Sequence, residues 1–183
     1  MKTTLNRLLN LLTKYFDNAK NYSTFRLIVE FTLLDLIVKF GVGIFVSIFI
    51  LIPVGLISGN GLKLIDNFFV DQNFTTTMSL GELAIISMVI FPPFETLIFQ
   101  NFVIWFLSIF TKKKALLILI SAIIFALIHL ELTAILAIIP AGILLSWVYL
   151  IKKDESKWKA FYTTTILHIS MNGLAVLLRL FFP

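Results

Sequence analysis

The chain has 183 residues, of which 59% are hydrophobic and only 14% charged, and its mean hydropathy is +1.00. A soluble domain has roughly 45–50% apolar and about 25% charged residues, so the composition excludes that class and predicts an integral membrane protein. The absence of cysteine excludes disulfides and thiolate metal sites, and the net charge of +5 does not indicate nucleic-acid binding because the basic residues follow the expected membrane topology.

Residues 1–30 are predicted to form an amphipathic, basic N-terminal segment. Leucine and aromatic residues recur there at helical spacing with basic residues between them, which favours a helix lying in the membrane interface. A disordered basic tail is the alternative. The segment is unlike a secretory signal, because its apolar core from Leu8 to Leu12 is short and is interrupted by Asn10.

Residues 31–183 are predicted to be a single all-α transmembrane domain, a polytopic helical bundle of about five spans. The segments are residues 36–57, 80–110, 115–130, 134–151 and 160–182. Ser79 and Glu82 have the spacing of a capping box that opens the second of them. With the N-terminus in the cytoplasm, thirteen of the fifteen Lys and Arg residues lie on the cytoplasmic side, and the topology and composition suit a bacterial plasma membrane.

The second span contains two consecutive prolines, Pro92 and Pro93, followed by a carboxylate at Glu95 and an amide at Gln100. Prolines remove backbone donors, so the carbonyls one turn earlier must find other partners, and we expect the helix to break here. A charged side chain at membrane depth is costly and usually marks a functional site. The stretch therefore predicts a site built around Glu95.

Three more polar side chains lie inside predicted spans: His129 in the third, and His168 with Asn172 in the fifth. The last two are four residues apart and share a helix face. At about 1.5 Å per residue their depths are compatible with that of Glu95. Any one of them alone is often a hydrogen-bonding link between helices. Together, an acid, two imidazoles and an amide are the groups that activate water and stabilise an oxyanion.

Asp35 and Lys39 stand at the entrance of the first predicted span. We attribute both to snorkelling, in which a charged side chain near a span end reaches the interface, and we do not place them in the site.

The residues resemble the three motifs of the CAAX protease and bacteriocin-processing (CPBP) family of intramembrane proteases, which includes the type II CAAX prenyl endopeptidases and the bacterial abortive-infection (Abi) proteins. The matching residues are Glu95-Thr96-x-x-x-Gln100, Phe125-x-x-x-His129 and His168-x-x-x-Asn172. The resemblance covers roughly residues 80–180, the protease-like core.

The resemblance implies that Glu95 with His129 activates water and that His168 with Asn172 stabilises the oxyanion, with Thr96, Gln100 and Phe125 in support. The family's usual first motif is Glu-Glu-x-x-x-Arg, so Thr96 and Gln100 replace its second Glu and its Arg. Losing both members of a buried ion pair is far cheaper than losing one, which favours a neutral version of this support.

Cofactor and substrate stay open at this point. Glu95, His129 and His168 are candidate zinc ligands, but the sequence lacks His-Glu-x-x-His, so no local motif supports a metal. The expected partners are membrane lipid and a membrane-associated peptide or protein substrate, whether or not it is prenylated. The alternatives are an inactive relative that confers bacteriocin immunity or binds a peptide, and a small transporter, which the absence of repeat symmetry disfavours.

Overall fold

The computed structural model describes residues 2–46, 48–49, 52–53, 79–129 and 132–181. The main elements in these ranges are six helices: α1 Lys2–Ala19, α2 Thr24–Val46, α3 residues 80–110, α4 Lys114–Leu127, α5 Leu132–Lys153 and α6 Lys157–Phe181. No strand occurs in these ranges, so the all-α prediction is confirmed. The last three helices end within a few residues of their predicted limits.

Within the part of the chain that the structure describes, two segments are long and apolar enough to cross a membrane by length and composition, Ile86–Phe110 of α3 and Lys157–Leu178 of α6. The apolar helix α4 is shorter. The count of five spans therefore stays a prediction. The helix of the first predicted span begins earlier than expected, at Thr24. Three parts of the prediction lie outside the described residues: most of the second half of that span, the connection at residues 58–78, and Glu131.

The C-terminal half of α1 packs on the helical bundle. Ala19 is fully buried, and the Phe16 ring lies 5.0 Å from Trp147 of α5 between centroids. The Tyr15 hydroxyl donates a hydrogen bond of 3.0 Å to Glu30 on α2. These contacts fix the end of α1 against α2 and α5, whereas its location in the membrane interface stays a prediction.

The start of α3 has the predicted capping box. The Ser79 N–H donates to Glu82 Oε2 at 2.8 Å, and the Glu82 N–H donates to Ser79 Oγ at 3.3 Å. Both bonds satisfy backbone donors that have no partner inside the first helical turn. The helix therefore begins at the capping box, as its Ser79 and Glu82 spacing predicts.

The expected break at the two prolines is wrong, because α3 is helical from residue 80 to 110. Its hydrogen-bond spacing changes instead: the α-helical segment Phe91–Glu95 lies between π-helical segments Ile86–Ile90 and Thr96–Val103. A π-helical turn joins each N–H to the carbonyl five residues earlier, as Phe91 does with Ile86. The wider turns let the chain pass through Pro92 and Pro93 without ending the helix.

Helices α4 and α5 approach closely at Gly142. A Cβ atom built there would lie 3.0 Å from the Ala122 Cα and 3.1 Å from the Phe125 ring. Two buried hydroxyls strengthen the same region, since Ser146 donates to Ser121 at 3.1 Å and Ser121 donates to the Phe99 carbonyl at 2.7 Å. Small residues and short polar links of this kind are how membrane helices pack tightly.

Substituting Gly142→Leu is expected to lower the free energy of unfolding by about 1–3 kcal/mol, because overpacking forces α4 and α5 apart. Thermal unfolding in detergent micelles measures the loss. Gly41→Leu on α2 is the matched control, since a Cβ there meets nothing within 4 Å. Equal unfolding temperatures for the two variants would contradict a tight α4–α5 contact.

Candidate active site

One cavity of about 520 Å³ opens between α2, α3, α4, α5 and α6. All four residues that the sequence predicts as catalytic line it, namely Glu95, His129, His168 and Asn172, and Phe125 lines it with them. Helices distant in sequence thus bring the predicted acid, imidazoles and amide into one chamber.

Glu95 and His168 are in direct contact across α3 and α6. Nε2 of His168 lies 3.3 Å from Oε2 of Glu95, and the two side chains are only 6% and 19% exposed. The resemblance pairs Glu95 with His129 for water activation, whereas this contact pairs the carboxylate with His168. A carboxylate held beside an imidazole in a largely buried site can exchange a proton with it or with a water that contacts either group.

His129 lies in the turn that follows α4, where its backbone N–H donates to Ala126 O at 3.1 Å. Its Nδ1 is 3.1 Å from the Phe125 carbonyl oxygen. A carbonyl oxygen only accepts hydrogen bonds, so Nδ1 carries the hydrogen in this contact. In the neutral ring Nε2 is then the nitrogen that accepts a proton.

Phe125 orients both histidines. Its ring centroid is 5.4 Å from that of His129 and 5.6 Å from that of His168, with interplanar angles of 80° and 84°. It is itself held by Phe99 of α3, at 5.5 Å. Edge-to-face packing on two sides restricts the rotation of both imidazoles, which agrees with the supporting role expected of Phe125.

Asn172 is connected to the prolines through Ser87. The Asn172 Nδ2 group donates a hydrogen bond of 2.7 Å to the Ser87 carbonyl. The Phe91 amide, four residues after Ser87, donates to Ile86, and Pro92, five residues after it, has no N–H. The expectation that prolines oblige a carbonyl one turn earlier to find another donor is therefore confirmed, and α6 supplies that donor.

Thr96 and Gln100 lie outside the cavity wall, in the second π-helical segment of α3, and both are fully buried. Within the described ranges, neither Thr96 Oγ1 nor either amide atom of Gln100 has a hydrogen-bond partner, and the same holds for Thr164 Oγ1 on α6. The two motif positions thus hold buried, neutral polar side chains on the helix that carries Glu95.

The family model of type II CAAX prenyl endopeptidase Rce1-like proteins matches residues 78–174. This chain belongs to that family. The resemblance predicted from the three motifs is confirmed, and the Rce1-like match contains every motif residue. Its members are membrane-embedded proteases of the CAAX type, in agreement with the two apolar helices. No curated protein and no solved structure matches the chain.

The neutral side chains of Thr96 and Gln100 distinguish this Rce1-like protein from the usual Glu-Glu-x-x-x-Arg pattern. Thr96→Glu or Gln100→Arg alone should lower the free energy of unfolding by about 3–5 kcal/mol, since each buries an unpaired charge. The double variant should recover most of that loss by forming the pair. Thermal unfolding of the three variants in detergent measures the coupling.

A neutral control tests the same two positions without charge. Thr96→Val with Gln100→Leu removes buried polar atoms that have no partner among the described residues, so stability should be unchanged or higher. A double charged variant as unstable as the two single ones would contradict the view that Thr96 and Gln100 replace an ion pair as a unit.

Lys39 and Ser87 also line the cavity and were missed by sequence reasoning. Snorkelling does not explain Asp35, because this residue is buried within α2 and binds Lys39 Nζ at 2.8 Å, whereas the position of the pair relative to the membrane stays a prediction. The sequence did indicate an intrahelical ion pair, because Asp35 and Lys39 are oppositely charged and four residues apart within an apolar helix. For Ser87 the signal was its position five residues before Pro92.

The described residues do not fit a metal site. No group of three His, Asp or Glu side chains among them is arranged to hold an ion. Of the candidate zinc ligands, Glu95 and His168 contact each other at 3.3 Å, but no third ligand among the described residues completes a group with them. A catalytic zinc needs three protein ligands converging on one point, so no reaction step is assigned to a metal here.

Proposed function

We propose that this Rce1-like protein is an intramembrane endopeptidase that hydrolyses a peptide bond in a membrane-associated peptide or protein. The observation that carries the proposal is the contact of 3.3 Å between Glu95 and His168 in a cavity that His129 and Asn172 also line. General bases and amide donors gathered around one cavity are what hydrolysis by activated water requires.

In the proposed reaction Glu95, assisted by His129 Nε2, takes a proton from a water in the cavity. The resulting hydroxide attacks the carbonyl carbon of the scissile bond. The oxygen that becomes negative receives hydrogen bonds from the second N–H of Asn172 and from His168 Nε2–H, which leaves Glu95 when that carboxylate takes the proton. The protonated base then gives its proton to the leaving nitrogen, as general acid–base catalysis demands. Preorganised donors aimed at the oxygen where negative charge develops stabilise the transition state.

The proposed setting is a bacterial plasma membrane with the N-terminus in the cytoplasm, surrounded by lipid. The clustering of basic residues at the cytoplasmic ends of the predicted spans supports this orientation. A prenyl group on the substrate is not required by any residue of the site, so the substrate class is a membrane-associated peptide or protein in general.

A second candidate is an inactive relative that binds a peptide or confers immunity to a bacteriocin. The buried neutral residues Thr96 and Gln100, at positions where the family usually has a charged pair, favour it. Immunity or peptide binding that survives Glu95→Gln together with His168→Ala would support this candidate over the protease.

The test compares membrane peptides in cells that carry either the intact protein or Glu95→Ala. We expect peptides that are shortened only in the presence of the intact protein, identified by mass spectrometry of the membrane fraction. Equal amounts of both proteins in the membrane, checked by immunoblot, are the control. Identical peptide profiles in the two strains would overturn the proposed endopeptidase.

A further inference from the structure

The cavity wall contains a fixed positive charge opposite the catalytic residues. Of the described residues that line it, only Lys39 carries an ammonium group. Lys39 belongs to α2, outside the matched residues 78–174, so the family match does not assign it a role.

Asp35 holds this ammonium group in place. Its Oδ2 lies 2.8 Å from Lys39 Nζ, and the carboxylate is only 4% exposed whereas the Lys39 side chain is 31% exposed. An ammonium group has three N–H donors, and Asp35 engages one edge of it. The buried carboxylate therefore anchors Lys39 on the helix while leaving donors for a second acceptor.

The other residues that line the cavity indicate which ligand chemistry it accepts. Beside Lys39, α5 and α6 contribute apolar side chains, among them Ile138, Met171 and Val176. A ligand that fits this wall has apolar groups together with one negative charge. A charge-assisted hydrogen bond between an ammonium and a carboxylate is about twice as strong as a neutral one.

We propose that Lys39 binds a carboxylate of the substrate and thereby sets which peptide bond reaches Glu95. The carboxylate belongs either to the chain terminus or to an acidic side chain. This inference rests on the proposed endopeptidase function, and it makes Lys39 a specificity-determining residue. The alternative is that Lys39 only neutralises the buried Asp35.

The experiment uses the full chain in detergent and a dansylated S-farnesylcysteine peptide in which three residues follow the cysteine. The peptide is made with a free C-terminus, with a C-terminal amide, and as an amide with Glu at the last position. Cleavage gives kcat and KM, and fluorescence anisotropy on the Glu95→Gln protein gives binding without turnover. The key variant is Asp35→Asn with Lys39→Met, which removes the ion pair as a unit and so avoids leaving a buried charge unpaired.

We expect the unaltered chain to prefer the free acid over the amide by at least about tenfold, mainly through KM. The double variant should lose that preference, and Lys39→Arg should keep much of it. Restoration of affinity by Glu in the amidated peptide indicates an acidic side chain as the ligand, and no restoration indicates the chain terminus. Lys114→Met with Asp154→Asn, which removes an exposed ion pair of 2.7 Å, is the matched control and should change nothing.

The outcomes separate this inference from the proposed function. Cleavage that favours neither the free acid nor the Glu-containing amide over the neutral amide, or a preference that persists in the double variant, overturns the role of Lys39 and leaves the endopeptidase standing. Binding that prefers the acid and depends on Lys39, without cleavage, supports the role of Lys39 and overturns the endopeptidase. Failure of the free acid to bind at all counts against both.

Discussion

Replacing Glu95 by Gln is expected to reduce peptide cleavage by at least about 10²–10⁴-fold while the protein stays folded in the membrane. Gln has nearly the same shape as Glu and keeps a polar atom beside His168 Nε2, 3.3 Å away in the native protein. It cannot take a proton from water, so the loss falls on kcat. Turnover of a synthetic peptide by purified protein measures it, and His129→Ala should cause a loss of the same kind.

Glu82→Gln is the matched control for Glu95→Gln, because it removes an exposed carboxylate from the same helix. Among the described residues Glu82 bonds to Ser79 in the capping box and does not line the cavity, so its replacement weakens the start of α3 and leaves the cavity unchanged. Thermal unfolding of each variant separates loss of chemistry from loss of fold. More than a tenth of native kcat in Glu95→Gln would remove Glu95 from the role of general base.

The four side chains predicted to be catalytic could be selected from the sequence because the signals that mark them are local. His168 and Asn172 share a face through their spacing of four, and Glu95 stands out as a carboxylate within an apolar run. The shared cavity followed from compatible depths on separate helices. The contact of Glu95 with His168 did not follow, because the rotation of α3 about its axis depends on the π-helical segments.

Those π-helical segments were unpredictable for a tertiary reason. The sequence showed that Pro92 would free a carbonyl, but the donor that satisfies the Ser87 carbonyl is Asn172, from a helix eighty-five positions later in the chain. With that donor in place, the chain can continue as a helix where local rules predicted a break. Local rules therefore predict a break at the prolines, and this prediction is wrong because the tertiary hydrogen bond from Asn172 is not visible to them.

Lys39 illustrates the opposite error. A hydrophobic window placed the first span from residue 36, so Asp35 and Lys39 seemed to stand at its end, whereas α2 runs from Thr24 to Val46 and contains both. The error came from treating an intrahelical ion pair as two separate interfacial charges. Asp35 and Lys39 neutralise each other across one helical turn, which permits them inside an apolar helix.

Asn172→Ala is expected to lower kcat by about 10²–10³-fold, the usual cost of losing one oxyanion donor. The same change removes the hydrogen bond of 2.7 Å to the Ser87 carbonyl and should lower the free energy of unfolding by about 0.5–1.5 kcal/mol. The single variant thus removes both a structural link between α6 and α3 and a proposed catalytic donor. Its effects on kcat cannot be assigned to one of these two roles.

Adding Pro92→Ala to Asn172→Ala separates the two roles. Alanine at position 92 supplies the N–H that proline lacks, at the spacing of five at which a π-helical turn bonds to Ser87. Stability in detergent should then recover while kcat stays low, because a backbone donor replaces the amide at Ser87 but not at the scissile carbonyl. Recovery of kcat together with stability would mean that Asn172 only joins the helices, and the oxyanion would then depend on His168 and its surroundings.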